Sequence, residues 1–274
     1  MIEIHTPPLA SETIAHLGAF EIRNSMLMAW FAVVVLIAIA LTGKIRGYRM
    51  VPDKFQSVLE LVVGGLFDFF NSVLSDPQRT RKVFPLVGTL FLFIVTANWM
   101  GILPGVGTIT IDGVHEGQEM ALPVLRSMNA DVNMTLALAL TAVACVQLYG
   151  MAELGFFHYA NKFIVAPWKD FTGSFVGVLE IIGEFSRMIS FSFRLFGNIF
   201  AGEVLLVVVA LLVPYIAPIP FLGLEIFVGV VQGLVFSMLT LVFVNMAMTS
   251  HHDTSHEMPD ITKLELSRRV LKQS

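Results

Sequence analysis

The chain has 274 residues, of which 55% are hydrophobic and only 14% charged, with 23 Phe and a mean hydropathy of +0.77; this excludes a soluble domain with one core and indicates a polytopic membrane protein. The net charge of −4 is small and dispersed, which argues against nucleic acid as a partner, and no GxxxxGK[ST] loop is present to cradle nucleotide phosphates. Cys145 is the only cysteine, so an internal disulfide and a cysteine-based metal site are both excluded.

The leader, residues 1–24, is polar, with Pro7-Pro8, Glu12 and a weakly amphipathic piece over 13–22. It lacks the basic-then-apolar order of a cleaved signal peptide, so the first apolar run is expected to be a retained anchor. That run, 25–43, is uncharged, bounded by Asn24 and by Lys44, Arg46 and Arg49, and long enough to span. Residues 55–74 show apolar helical spacing interrupted by Glu60 and Asp68, which suits an interfacial helix better than a span.

Residues 83–103 follow the basic cluster Arg79, Arg81 and Lys82 and form the second expected span, with Asn98 and Trp99 near its far end as helix-end groups. A polar loop over 104–131 carries Asp112, Glu116 and Glu119, and its Thr-Ile-Thr-Ile run at 108–111 is patterned as a hairpin strand. Residues 133–152 form the third span, ending at Glu153, with Asn133 as another helix-end amide. Residues 155–177 mix aromatics with Lys162, Pro167, Lys169 and Asp170 and suggest a loop and surface segment. Two long apolar runs follow, over 176–213 and 221–248, separated by Pro214 to Pro220, and the tail over 250–274 is polar.

Loop charges set the expected orientation. The 44–82 stretch holds seven Lys or Arg residues, 153–170 two and the tail four, whereas the leader has only Arg23 and the 104–132 loop only Arg126. The positive-inside tendency then places the amino terminus outside and the carboxyl terminus in the cytoplasm. The expected fold is an all-α polytopic membrane protein of about five transmembrane helices plus one or more interfacial helices. Its parts are an outside segment over 1–24, a single transmembrane domain over 25–249 and a cytoplasmic tail over 250–274. The 176–213 run would reach about 57 Å as one helix, nearly twice the hydrocarbon thickness, so it must be broken or strongly tilted. With 221–248 it would make a long, tilted hairpin.

Arg194 stands at the middle of the first long run, where a charged side chain costs about 3 kcal/mol on insertion scales and so must face protein or water. At 100° per residue Glu180, Glu184, Arg187, Arg194 and Asn198 share an arc of about 80°. Glu203 projects to the opposite side, toward a different neighbour such as the following helix, on which Glu225 and Gln232 share a face. Antiparallel helices then sort these groups by depth. Glu180, Glu184 and Ser190 lie to one side of Arg194, and Glu203 and Glu225 lie to the other. Arginine suits a separator because it stays charged, and carboxylates suit pockets because they can exchange protons. Gly197 and Ala201, small and a turn apart beside Arg194, leave room for a partner helix.

The run Arg194-Leu-Phe-Gly-Asn198-Ile-Phe-Ala-Gly-Glu203, with Gln232 in Val-Val-Gln-Gly-Leu-Val-Phe, resembles subunit a of the F-type ATP synthase membrane sector. The resemblance implies that Arg194 faces the essential carboxylate of a rotating c ring, and that Asn198, Glu203, Glu225 and Gln232 belong to aqueous access pathways. Its implied partners are the c ring, b-type peripheral stalk subunits and the remaining F1Fo subunits. The implied setting is a bacterial plasma membrane rather than a mitochondrial inner membrane, with ATP chemistry left to other subunits. The family often pairs an acid with a histidine where Glu203 and Glu225 stand, so this chain departs by having two acids.

Arg187 reads as a structural ion-pair partner of Glu180 or Glu184. His251, His252 and His256 in the tail lack a carboxylate shell, so no metal and no cofactor are expected. A proton-coupled secondary transporter is the alternative function class, since it too uses intramembrane Arg and Glu; no inverted repeat is visible to support it.

Overall fold

A computed structural model describes residues 11–17, 20–47, 49–106, 109–115, 118–155, 171–214 and 216–249. The expectations for the tail and its histidines, and for most of the 155–177 segment, lie outside these residues. Six long helices dominate: α1 (Asn24–Arg46), α2 (Lys54–Leu74), α3 (Pro77–Gly101), α4 (Val132–Leu154), α5 (Phe171–Leu212) and α6 (Pro218–Met248). All six are long and apolar enough to cross a membrane, and the chain is a multi-pass membrane protein. Helices are the expected solution, because lipid offers backbone amides no partner outside the segment itself.

The helix starts follow from local chemistry. Asp53 caps α2 by accepting from the amide of Gln56 at 2.8 Å, and Asp76 caps α3 by accepting from those of Gln78 and Arg79 at 2.9 and 3.2 Å. Asp131 caps α4 through the amide of Asn133 at 2.9 Å. Pro77 and Pro218 sit in first turns, where a missing N–H costs nothing. The amphipathic piece of the leader is a strand pair, β1 (Thr13–Leu17) with β2 (Phe20–Arg23). The Thr-Ile pattern after α3 folds as the expected hairpin, β3 (Thr110–His115) with β4 (Gln118–Pro123).

Helix α5 is unbroken over 42 residues. Of the two alternatives set by its length, a break is therefore excluded, and at about 63 Å it is twice the hydrocarbon thickness. It starts at Phe171, so residues that composition assigned to a surface segment belong to its first turns.

Helix packing defines two ends of the bundle. At the hairpin end, Met28, Ala29 and Ala32 of α1 pack with Ala97 and Met100 of α3, which makes these helices antiparallel. At the other, basic end, Lys82 meets Glu153 at 3.2 Å and Arg79 meets Asn245 at 3.4 Å. Arg46 closes α1 and Pro77 opens α3, so both ends of α2 are tied to the basic end. Length and composition allow α2 to span, but this connectivity lays it across the basic end, with Leu66 and Phe70 packed on α3 and α6.

Helices α3 and α6 approach most closely at two buried glycines. A Cβ on Gly233 would stand 2.7 Å from Val95 Cγ2, and one on Gly229 would stand 3.0 Å from Asn98 Cβ. A helix of the same chain thus fills the space beside both glycines. Gly233→Ala is expected to lower stability by about 1–3 kcal/mol through overpacking. Adding Val95→Ala in the same chain should recover much of that loss, as read from unfolding midpoints in detergent; an unchanged midpoint in the single variant would contradict the contact.

Candidate functional site

Three groups converge at the hairpin end. The segment between β4 and α4, which includes a 3-10 turn at Met128–Ala130, carries Arg126 into the bundle, where it is 3% exposed. Its Nε lies 3.6 Å from Glu203 Oε1 of α5, and its Nη2 donates to the carbonyl of Ala130 at 3.4 Å. From α6, the Glu225 carboxyl rests against Gly202, so close that a Cβ there would stand 3.3 Å from Oε1. Glu203 and Glu225 thus share one pocket, and each keeps its Oε2 sealed from solvent without a hydrogen-bond partner. Buried acceptors left open in this way suit a bound proton or an ordered water.

Amides line the same end. Asn129 Nδ2 donates to Asn98 Oδ1 at 2.6 Å, and Asn98 Nδ2 donates to the carbonyl of Gly229 at 3.1 Å. Asn98, expected as a helix-end amide, is instead 2% exposed and bridges α3, the 3-10 turn and α6. Asn133 is exposed at the start of α4, as expected. Gln232 is half-buried one turn beyond Gly229. The leader is strapped over this end: Ser11 and Ser25 both donate to Asp131 Oδ2, the second at 2.7 Å, and Asn24 Nδ2 donates to the carbonyl of Pro123 at 3.2 Å.

The lower half of α5 holds the second group. Arg187 donates to Glu184 at 2.5 Å, and its guanidinium lies 4.6 Å from the ring centroid of Phe243 on α6, so the expected ion pair forms with a cation–π contact added. Glu180 lies half-buried one turn below Glu184.

Arg194 lies between these groups and belongs to neither. One face of α5 is buried through Phe191, Leu195 and Ile199, and Thr135 of α4 reaches Ser192 at 3.1 Å. The opposite face is bare, with Ile182, Phe185, Ile189 and Phe193 exposed. Arg194 and Asn198 are exposed between that bare face and the buried one, and Arg194 Nη2 donates to Ser190 Oγ at 3.2 Å. Among the described residues no carboxylate lies within ion-pair distance of Arg194. A Cβ on Gly197 would touch nothing within 4 Å, so the space beside it is open from this chain's side.

A sequence model of the family described as ATP synthase A chain matches residues 26–245. The chain belongs to that family. It is 34% identical over 242 residues to the ATP synthase subunit a of Gloeobacter violaceus, a match covering 86% of this chain and 89% of that protein. The match to the ATP synthase A chain family runs from the first turn of α1 to the last turn of α6 and so contains Arg126, Glu180, Glu184, Ser190, Arg194, Asn198, Glu203, Glu225 and Gln232. In this family's terms the chain is a membrane-sector subunit, with no catalytic site of its own.

Arg126 is the residue that sequence reasoning missed. Its signal was present, since it is the lone cation of the 104–131 loop, but it counted only toward orientation. Arg126→Met should cost about 3 kcal/mol, the low end for breaking a buried pair because the Glu203 side chain is 27% exposed. Combining it with Glu203→Gln should restore most of the loss. Thermal unfolding of the three variants checks this, and additive losses would show that the two side chains do not interact.

Proposed function

We propose that this chain is the stationary ion-channel subunit of a proton-driven ATP synthase, with two offset proton half-channels divided by Arg194. The observation that carries the reading is the placement of one unpaired cation on the bare flank of α5, between polar groups at opposite ends of the same helix. Glu203 lies about 14 Å along the helix on one side of Arg194, and Glu184 about 15 Å on the other. Glu203, Glu225, Asn98 and Gln232 form the half-channel at the hairpin end. Glu180, Glu184 and Ser190 form the half-channel at the basic end.

Protons entering one half-channel neutralise a carboxylate on a partner chain, which is carried past in a rotating ring of c subunits and discharges into the other half-channel. Arg194 attracts the ionised carboxylate and blocks direct passage, because a guanidinium holds its proton throughout the accessible pH range. Each proton contributes about 2.3 kcal/mol per 100 mV, so many steps must accumulate before a phosphoanhydride bond forms elsewhere in the complex. Asn198, one turn beyond Arg194, offers an amide to the incoming carboxyl.

The same reading puts the hairpin end and residues 1–24 outside a bacterial plasma membrane, and the basic end with residues 250–274 in the cytoplasm, around a transmembrane domain over 25–249. The positive charge of the 44–82 stretch supports that orientation. Partners are the c ring on the bare face of α5, b-type stalk subunits, the other F1Fo subunits and surrounding lipid.

In membranes holding the assembled complex, Arg194→Ala should abolish ATP-driven proton pumping and coupled synthesis while passive proton leakage rises. Coupled synthesis at the normal rate by a fully assembled variant would overturn the reading. Glu203→Gln and Glu225→Gln should each slow proton flux through the hairpin-end pathway and shift its pH optimum; flux kinetics that stay unchanged in both singles and the double would remove these two residues from the pathway.

A further inference from the structure

A cavity of about 260 Å³ at the corner between α1 and α2 plays no part in the site described above; it is lined by Arg46, Gly47, Arg49, Asp53 and Gln56. Its depth is set by covalent connection. Arg46 is the last residue of α1, a helix long enough to cross, so the cavity lies at the boundary between hydrocarbon and water whichever way the chain faces.

The corner is held in shape. Buried Gln56 clamps the backbone of Arg49 from both sides, accepting from its amide at 3.1 Å and donating to its carbonyl at 3.1 Å. Gly47 turns the chain at a φ of 70°, a conformation that costs glycine little. The Arg46 guanidinium lies 5.2 Å from the ring centroid of Phe55 and 3.6 Å from Asp53 Oδ2. Asp53 is already committed as the cap of α2.

Charge at the corner is in surplus. Lys44, Arg46, Arg49 and Lys54 stand against Asp53 and against Glu60, to which Gln56 Nε2 donates at 2.7 Å, four positive charges less two negative leaving +2. Among the described residues Lys44, Arg49 and Lys54 form no ion pair. The cations are interleaved with bare apolar side chains, Ile45 at 82%, Met50 at 102% and Val51 at 83% exposure. Water solvates the charges but not the apolar side chains between them, whereas an anionic lipid meets both, with acyl chains for the apolar groups and a phosphate for the guanidiniums.

We propose that this cavity binds the phosphate of an anionic phospholipid headgroup, with Arg46 and Arg49 donating to its oxygens. The lipid ties the α1–α2 corner to one leaflet and holds α2 in the plane of the membrane surface. An anionic headgroup is required because a zwitterionic one would leave the +2 surplus unmatched. Free phosphate would satisfy the guanidiniums but leave Ile45, Met50 and Val51 bare.

The test uses the full-length chain in the complex with which it co-purifies, delipidated in detergent. Short-chain phosphatidylglycerol, short-chain phosphatidylcholine and inorganic phosphate are titrated separately, with bound species counted by native mass spectrometry. Phosphatidylglycerol should bind in preference to phosphatidylcholine. Arg46→Gln and Arg49→Gln should each weaken it about fivefold, and the double variant about 25-fold. Arg81→Gln, on an exposed basic residue away from the cavity, should change nothing, and the Arg46→Lys/Arg49→Lys variant should keep most of the binding, which separates lost charge from lost folding.

Equal phosphatidylglycerol binding by the double glutamine variant would overturn the proposal, as would equal binding of phosphatidylcholine. Inorganic phosphate competing as well as the lipid would make this a free-anion site. Loss of a co-purifying protein with lipid binding unchanged would assign the corner to that protein instead.

Discussion

A guanidinium cannot give up its proton to escape a poor environment, so an arginine placed midway along a membrane helix must be met by an opposite charge or by water. Arg194 is in that position on the flank of an uncovered apolar face, where among the described residues the Ser190 hydroxyl accepts from it. The rest of the bundle can be understood as holding that side chain in place while leaving one side of it open. Helices α3, α4 and α6 bury the back of α5 through Phe191, Leu195 and Ile199, and none of them covers its front.

The two polar groups are built differently. In the lower group of α5, Glu184 and Arg187 form a short pair with the guanidinium over the Phe243 ring. At the hairpin end the pairing is looser. Glu203 stands 3.6 Å from Arg126, Glu225 shares the pocket, and a carboxylate oxygen of each glutamate is left buried without a partner. Acceptors left open in this way have room for a proton or a water, whereas those of the Glu184–Arg187 pair are engaged.

Most of the architecture was legible because lipid simplifies the code: an uncharged run of about 20 residues has few fates. The spans, the split between loop charges, the strand pattern near residue 110 and the placing of Glu203 and Glu225 together all follow from spacing. What was not legible depends on contacts between segments far apart in the chain. Asn98 looked like a helix-end amide because its partners, Asn129 and Gly229, are 31 and 131 residues away. Arg126 looked like a loop charge because nothing local shows that its loop dips inward. The weakly amphipathic piece of the leader gave no sign of its form, which hydrogen bonding between its two short halves sets as a hairpin. The fate of α2 was ambiguous by composition and is decided by connectivity, since both of its neighbours end on the same side.

The close seam between α3 and α6 has a mechanical meaning. With Val95 and Asn98 seated against Gly233 and Gly229, there is no slack of even one methyl group along that contact. Helix α5 is coupled to this seam by Phe191, whose ring lies 5.0 Å from that of Phe236 on α6. A sideways load on the bare face of α5 therefore acts on a stiff beam of several helices rather than on a single compliant one, and the backbone that carries Arg194 resists displacement as part of that beam.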